Sequence, residues 1–419
     1  MSCALLKGCR FSAALVSVHK NKAAVCLMNS CYSTKQNVKD VNEKDIQKSV
    51  FISQSNDIFT NLAMEDWIYR NYDLTNHHIM MLWLNDPCVV IGRHQNPWKE
   101  ADVSAAEARD IKVARRNSGG GTVYHDKGNL NMTFFTPRER YNRKYNLNII
   151  TRALFREWGI RSMISPREDI VLEGNLKQIS GTAAKLGQPN AYHHCTLLVN
   201  VDKLNLTQVL HTHESGISTT ATPSVRSKVA NLVEQDVRVN INRLLEAVGN
   251  EYMRTSAISL QDEGDVLKQT QRGFQSINPT EGWFPGLNKI REEYESWDWR
   301  FGRTPKFSVS RIFDVPDNLL GDFVEQNIPK MEQDSKQLTI SMNVERGLIN
   351  DVHLSVPKGL CRKDGMYGEA AVITRLQGQK FSEESMKLVE IALAGEEPCA
   401  LQEKEKFVAN CFRKIINSA

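Results

Sequence analysis

Residues 115–131 read RRNSGGGTVYHDKGNLN, with three consecutive glycines behind two arginines. Each glycine inside a helix or strand costs about 1 kcal/mol relative to alanine, so the run forces a break in regular structure. The backbone there must come close to something that side chains would obstruct. Neither phosphate-loop fingerprint fits: no lysine–hydroxyl pair follows at the P-loop offset, and a GxGxxG reading meets Tyr124 at its last position. A tight turn between strands would also account for the glycines. Arg115 and Arg116 tilt the choice toward an anion site, because bared backbone N–H groups beside a guanidinium suit a single phosphate.

The flanking segments predict what this loop is built into. FISQSNDIFTNLAMEDWIYRNY reads as a strand and then a helix, with Asn56 or Asp57 as N-cap and Phe59, Ala63 and Trp67 on one face. IMMLWLNDPCVVIG predicts two strands joined by a turn at Asn85-Asp86-Pro87, and TVYH and NMTFFT two more around the turn at 127–129. A helix over 149–158 ends at Gly159. DIVLEGNLKQISGTA reads as strand, turn and strand, AYHHCTLLVNV as a further strand, and helical patterns occupy about 240–255 and 286–296. So irregular an interleaving excludes a doubly wound sheet and predicts a mixed-sheet α/β domain. A boundary is expected near 300–305; beyond it, alternating strands and a helix from Ser382 to Ala394 predict a small α+β domain.

Composition narrows the function. The 419 residues suffice for two or three domains. A net charge of +4 without a basic run argues against nucleic acid, and no apolar stretch suits a membrane span. Of nine cysteines four lie in the first 31 residues and no CxxC pair occurs, which disfavours a disulfide framework and a structural zinc site. Residues 1–39 carry Lys7, Arg10, Lys20, Lys22, Lys35 and Lys39, several serines and no acidic residue, the pattern of a mitochondrial transit peptide.

RRNSGGGTVYHDKGNLN resembles the lipoate–protein ligase signature RRxSGGGxVxHDxGN. VVIGRHQNPWKE (89–100), GNLKQISGTAAK (174–185) with AYHHCTLL (191–198), and SVRSKVANL (224–232) follow in the family's order. SINPTEGWFPG and WDWRFGRTPKF look like its vertebrate mitochondrial lipoyltransferase branch. The resemblance implies an α/β fold, with a mixed-sheet catalytic domain of the biotin/lipoate ligase type (48–300) and a smaller C-terminal α+β accessory domain (305–419), behind a transit peptide (1–40). It implies a ligand, lipoyl-AMP, as substrate, with no tightly bound cofactor and no metal. By motif position, Arg116 approaches the activated carboxyl; Gly121, Thr122, Val123 and Tyr124 line the nucleotide and lipoyl tail; Arg167, Thr196, Val225 and Ser227 sit near the adenylate; and Lys177 is the catalytic lysine. The implied acceptors are lipoyl domains of 2-oxoacid dehydrogenase E2 subunits, with the glycine cleavage H protein as an alternative lipoyl donor. A monomer in the mitochondrial matrix, binding no nucleic acid and spanning no membrane, completes the expectation.

The reaction is aminolysis of a mixed anhydride. A free lysine is only about 0.4% neutral at pH 8, so orientation of the amine and positive charge at the carbonyl oxygen matter most. In the family the lysine directly precedes [IV]SG, whereas here Gln178 intervenes; Lys185 is the fallback. Adjacent strand residues face opposite ways, so His193, His194 and Cys195 cannot converge on one ion, and the pair His211/His213 is not read as a metal site. His125-Asp126 reads as a turn cap before a base dyad. Cys195 as an acyl nucleophile, an ATP-dependent ligase that makes its own adenylate, and a non-catalytic lipoyl-protein binding factor are the alternatives.

Overall fold

The computed structural model describes residues 38, 41–210, 216–320, 336–357, 359–360, 367–394 and 401–417. The expected leader, but for Val38, and the pair His211/His213 lie outside the described residues.

Strand β1 (Gln47–Ser53) leads into helix α1 (Ile58–Asn71), whose N-cap Asp57 accepts the Thr60 N–H at 2.9 Å. Next come β2 (His77–Trp83), β3 (Cys88–Ile91), β4 (Lys112–Arg115), β5 (Val123–His125) and β6 (Asn129–Pro137). Helix α2 (Arg143–Trp158) starts earlier than its sequence pattern suggested, capped by Asn142, and ends at Gly159 with φ 67°. After β7 (Ser162–Ile164), β8 (Ile170–Leu172), β9 (Thr182–Leu186) and β10 (Asn190–Leu198) come α3 (Lys203–Val209), β11 (Ile217–Thr219), α4 (Ile241–Arg254), β12 (Gly273–Ile277) and α5 (Leu287–Glu295). The chain closes with β13 (Phe307–Asp314), β14 (Gln337–Glu345), β15 (Leu348–Ser355), α6 (Tyr367–Leu376), α7 (Met386–Ala394) and α8 (Glu403–Asn417).

The main sheet has the order β12-β1-β2-β6-β10-β9. Strands β12, β1 and β2 run parallel, and the remaining pairs are antiparallel, so the mixed-sheet α/β expectation holds. One face packs on α2 and α4 through Phe134, Ile150, Leu154 and Val248; the other packs on α1 and α5 through Leu62, Met81, Phe135 and Ile290. With both faces covered, β2 has no exposed residue and shows no alternation.

The two expected strand pairs around 85–87 and 127–129 are not hairpins. β2 and β6 belong to the main sheet, while their chain neighbours β3 and β5 join a separate sheet of order β4-β3-β5. The two crossovers lie side by side, tied by a 3.0 Å contact between Asn85 Nδ2 and His125 Nδ1. They carry the chain from the main sheet to the smaller one, on which the glycine loop is mounted.

In the C-terminal region the antiparallel sheet β11-β13-β14-β15 is covered by α6, α7 and α8 through Val372, Val389 and Phe412. Its core is continuous with that of the small sheet. Trp98 lies 5.4 Å from Phe301, 5.4 Å from Phe307 and 5.2 Å from Phe381, ring centre to ring centre.

Candidate functional site

A cavity of about 560 Å³ opens between β9, β10, the glycine loop, α3 and the segment 223–229. That size is typical of small-molecule sites. Arg116, Gly121, Thr122, Val123, Tyr124, Arg167, Thr196, Val225 and Ser227 all line it. Leu62, Trp83 and Val90 give it an apolar end, and Lys99, Arg116, Arg167 and Arg226 outnumber Glu100 and Asp169 among its charged residues.

The glycines divide by role. Gly120 has φ +87°, a conformation side chains rarely adopt, and a Cβ there would stand 3.0 Å from an Arg116 Nη. A Cβ on Gly121 would press on Ser224 Oγ at 3.2 Å, while one on Gly119 would meet nothing within 4 Å. The close approach that the sequence demands is thus partly the chain's own. Gly92 is part of it, since any side chain there would collide with the Gly120 carbonyl.

Arg116 is buried, and its donors are spent on the loop. Nε donates to Ser118 Oγ at 3.0 Å, Nη1 to Val90 O at 3.0 Å, and Nη2 to Gly119 O at 2.6 Å and Gly121 O at 2.7 Å. No carboxylate is paired with it among the described residues, and burial lowers its pKa to about 10, so it still carries a full charge at neutral pH. It acts on the cavity as a fixed positive field. Ser118 continues the network: its Oγ lies 2.8 Å from His194 Nε2, and His194 Nδ1 lies 2.8 Å from Glu65 Oε1, which also accepts from Thr133 Oγ1. Opposite the loop, Gln95 binds the Thr122 hydroxyl at 2.8 Å and Ser224 Oγ at 3.0 Å, and Ser224 Oγ accepts the Thr122 N–H at 2.9 Å. Sequence reasoning did not single out Glu65, Gln95, Ser118 or Ser224. The last three stand inside the motifs quoted above, and that was their only signal.

Lys177 is not brought to the cavity; Gln178 is. The chain turns back through 173–176, with Leu176 at φ 53°, and Gln178 pairs with Val171 and Val229 while its backbone bonds Lys228 and Ala230. This fixes the extended segment with Gln178 in the cavity wall. Its predecessor then faces the other way, as alternation requires. Lys177 lies toward Glu234, whose carboxyl is held low first by its hydrogen bond with Lys203, then by the Asn231 N–H, with Lys177 adding to the effect. Lys185 is also outside the cavity, 3.1 Å from Asp66 Oδ1.

The other polar candidates are accounted for by packing. Asp126 accepts from Gly128 N and Asp202 N, each at 2.8 Å, which is the turn-capping role. His125 is buried with its pKa lowered to about 3 by desolvation. His193 bonds Asn146 on the far face of β10 from His194, and no cluster of three metal-ligating side chains occurs among the described residues. Cys195 borders the cavity, but burial pushes its thiol well up, away from a nucleophilic thiolate.

Residues 57–253 match the model of the lipoyl protein ligase A/B catalytic domain. The chain is 41% identical over 307 residues to the mouse mitochondrial lipoyl amidotransferase LIPT1, covering 73% of this chain and 75% of that one. It is 38% identical over 257 residues to lipoate-protein ligase A of Psychrobacter cryohalolentis, covering 59% of this chain and 70% of the relative. In fold it is similar to Plasmodium falciparum LipL1, solved with lipoate, at a TM-score of 0.50 and 22% identity over 89% of this chain and all of that one.

Proposed function

Because the chain belongs to the lipoyl protein ligase A/B family and is a lipoyltransferase, an enzyme that acts on lipoyl domains, we propose that its cavity receives lipoyl-AMP as the acyl donor. The observation that carries this is the meeting of residues from four separate motifs in one cavity. The glycine loop, the strand bearing Thr196, the turn bearing Arg167 and the segment bearing Val225 and Ser227 all face the same space. The lipoyl chain is assigned to the apolar end near Leu62, Trp83 and Val90, and the phosphate to the cationic wall.

The acceptor lysine loses its proton to solvent, and its amine then attacks the acyl carbonyl carbon. A C–N bond forms, the attacking nitrogen gives up a second proton to solvent, the acyl C–O bond to phosphate breaks, and AMP leaves with the electron pair. The Arg116 field and the Arg167 guanidinium favour the charge that grows on the carbonyl oxygen and departing phosphate. The acceptors we propose are lipoyl domains of 2-oxoacid dehydrogenase E2 subunits, with the glycine cleavage H protein as an alternative lipoyl source. We assign the catalytic role to residues 48–300 and an accessory role to 305–419. The protein is mitochondrial; its proposed compartment is the matrix, and its proposed state a monomer without a tightly bound cofactor.

The test is an intact-mass assay of full-length chain, lipoyl-AMP and an apo lipoyl domain. The acceptor should gain one lipoyl group with the adenylate and little with ATP plus lipoate. Rapid product from ATP plus lipoate would establish a complete ligase instead.

A further inference from the structure

On the other side of the glycine loop from the cavity lies an open cleft of about 520 Å³. The two share a wall: Gly121 and Ala183 line the cavity, Gly119 and Ala184 the cleft. Its lysine and arginines come from four places in the chain. Arg70 ends α1, Arg93 follows β3, Lys185 stands on β9 and Arg303 follows the helical turn Trp297–Arg300. Against these cations, among the described residues, stand Glu293 on the cleft wall and the buried Asp66, which holds Lys185 and Arg70. A chain whose net charge is +4 over 419 residues has therefore concentrated basic residues beside its substrate loop.

The cations are also held in place. Arg93 and Arg303 both lie over the Trp299 ring, at 5.6 Å and 5.5 Å from its centre, and Arg93 donates to Asn117 in the glycine-loop segment. Guanidinium groups stacked on one indole lose little freedom when they bind an anion. The cleft is open and has no apolar end of the kind the cavity has, which suits a broad charged surface better than an enclosed small molecule.

We propose that this cleft docks an acidic surface of the acceptor protein, seating it over the glycine loop so that its lysine is presented to the acyl group. The inference rests on the proposed lipoyl-AMP reading. Charge in this position acts chiefly on encounter and orientation.

The experiment compares the full-length wild type with an R70Q/R303E double variant in three measurements: KM for an apo lipoyl domain, KM for lipoyl-AMP, and aminolysis of lipoyl-AMP by hydroxylamine, a small neutral amine. The variant should raise KM for the acceptor about tenfold or more at low salt, and 0.5 M salt should remove most of the difference. KM for lipoyl-AMP and the hydroxylamine rate should stay as in the wild type, which also shows that the variant is folded. An unchanged acceptor KM would overturn the docking proposal. So would binding of a single-stranded RNA oligomer by the wild type but not the variant without a change in acceptor KM, which would give the cleft to nucleic acid. A wild type that uses neither hydroxylamine nor acceptor would instead defeat the adenylate reading, a separable outcome. Should the double variant fail to fold, R303E alone carries the test, since Arg303 makes no hydrogen bond or ion pair among the described contacts.

Discussion

On the cavity side of the glycine loop, polar groups are spent on the protein: Arg116 on the carbonyls of Val90, Gly119 and Gly121, Ser118 on His194, Ser224 on Thr122 and Gln95. On the cleft side Arg70 and Lys185 share the buried Asp66 and Arg93 donates to Asn117, while the exposed Arg303 lies over the Trp299 ring with no hydrogen bond or ion pair among the described residues. The first surface is preorganised, with its charge fixed and its shape held by buried hydrogen bonds. The second is open to solvent, so its charge is presented to an approaching partner and answers to salt. One nine-residue stretch of backbone, Arg115 to Val123, thus serves two kinds of recognition, and the two should fail under different conditions.

Acid should produce the largest effect, and it should act on the whole fold rather than on one side of the loop, since only His125 of the buried histidines below borders the cavity. His77, His78 and His125 have pKa values lowered by burial to about 3, and His193 is lowered well below its ordinary value. Between the folded value and about 6.5 the unfolded chain binds more protons, so stability rises with pH in that window and is lost as pH falls through it. Each histidine contributes up to about 1.4 kcal/mol per pH unit. Thermal melts should therefore show a steep drop in Tm between pH 6.5 and 5. A flat Tm across that range would mean these imidazoles are not buried neutral.

Arg116→Met should come next. It strands buried carbonyls at about 1–3 kcal/mol each, and we expect a loss on the order of 3 kcal/mol in denaturant unfolding with transfer down about 10³-fold. Retained stability and rate would show that the loop holds its shape without the guanidinium. Within the loop itself, Gly120→Ala should cost about 1–2 kcal/mol and raise KM for lipoyl-AMP, because its φ is +87°. Gly119→Ala, facing the cleft with open space around it, should change stability by less than about 0.5 kcal/mol. Equal costs at the two positions would erase the distinction between the sides.

The smallest effect concerns two neighbours. Gln178→Lys places a cation in the cavity wall and should raise transfer about tenfold, whereas Lys177→Ala should leave it within about threefold. A loss of 10²–10³-fold with Lys177→Ala, the usual cost of removing a transition-state cation, would return Lys177 to the reacting carbonyl.

These contrasts also mark what could be read from the chain. Strands with one solvated face were legible: β14, one of the strands expected beyond the boundary near 300–305, alternates half-exposed and buried positions along LTISMNV. β2 was legible from its apolar content alone, but not its sheet, because the crossover at 85–87 looks like a hairpin turn in sequence. β4, β12, α6 and α8 were passed over; β4 is four residues long and β12 is half-exposed with no apolar run. The gathering of Arg116, Thr122, Arg167, Thr196 and Ser227 in one cavity was implied by motif order. Which way Lys177 turned was not, since it depends on the 173–176 connection and on Gln178 pairing with Val229, a partner 51 positions further along.

Arg115, the other arginine of the pair, bears on how this chain can be divided. Fully buried and without a carboxylate partner among the described residues, it binds Gly92 O, Arg93 O and Gln95 O at one end of its guanidinium, and Arg300 O and Thr304 Oγ1 at the other. A chain cut after residue 300 would lose Thr304 and the Phe301 and Phe307 partners of Trp98, leaving one arm of a buried cation unpaired directly behind the substrate loop. Excising residues 301–419 to obtain a minimal enzyme should therefore yield a loop out of register rather than a smaller catalyst. For the same reason, substitutions far down the chain at Thr304, Phe307 or Phe381 are expected to surface as weakened substrate binding, a phenotype easily mistaken for an active-site lesion.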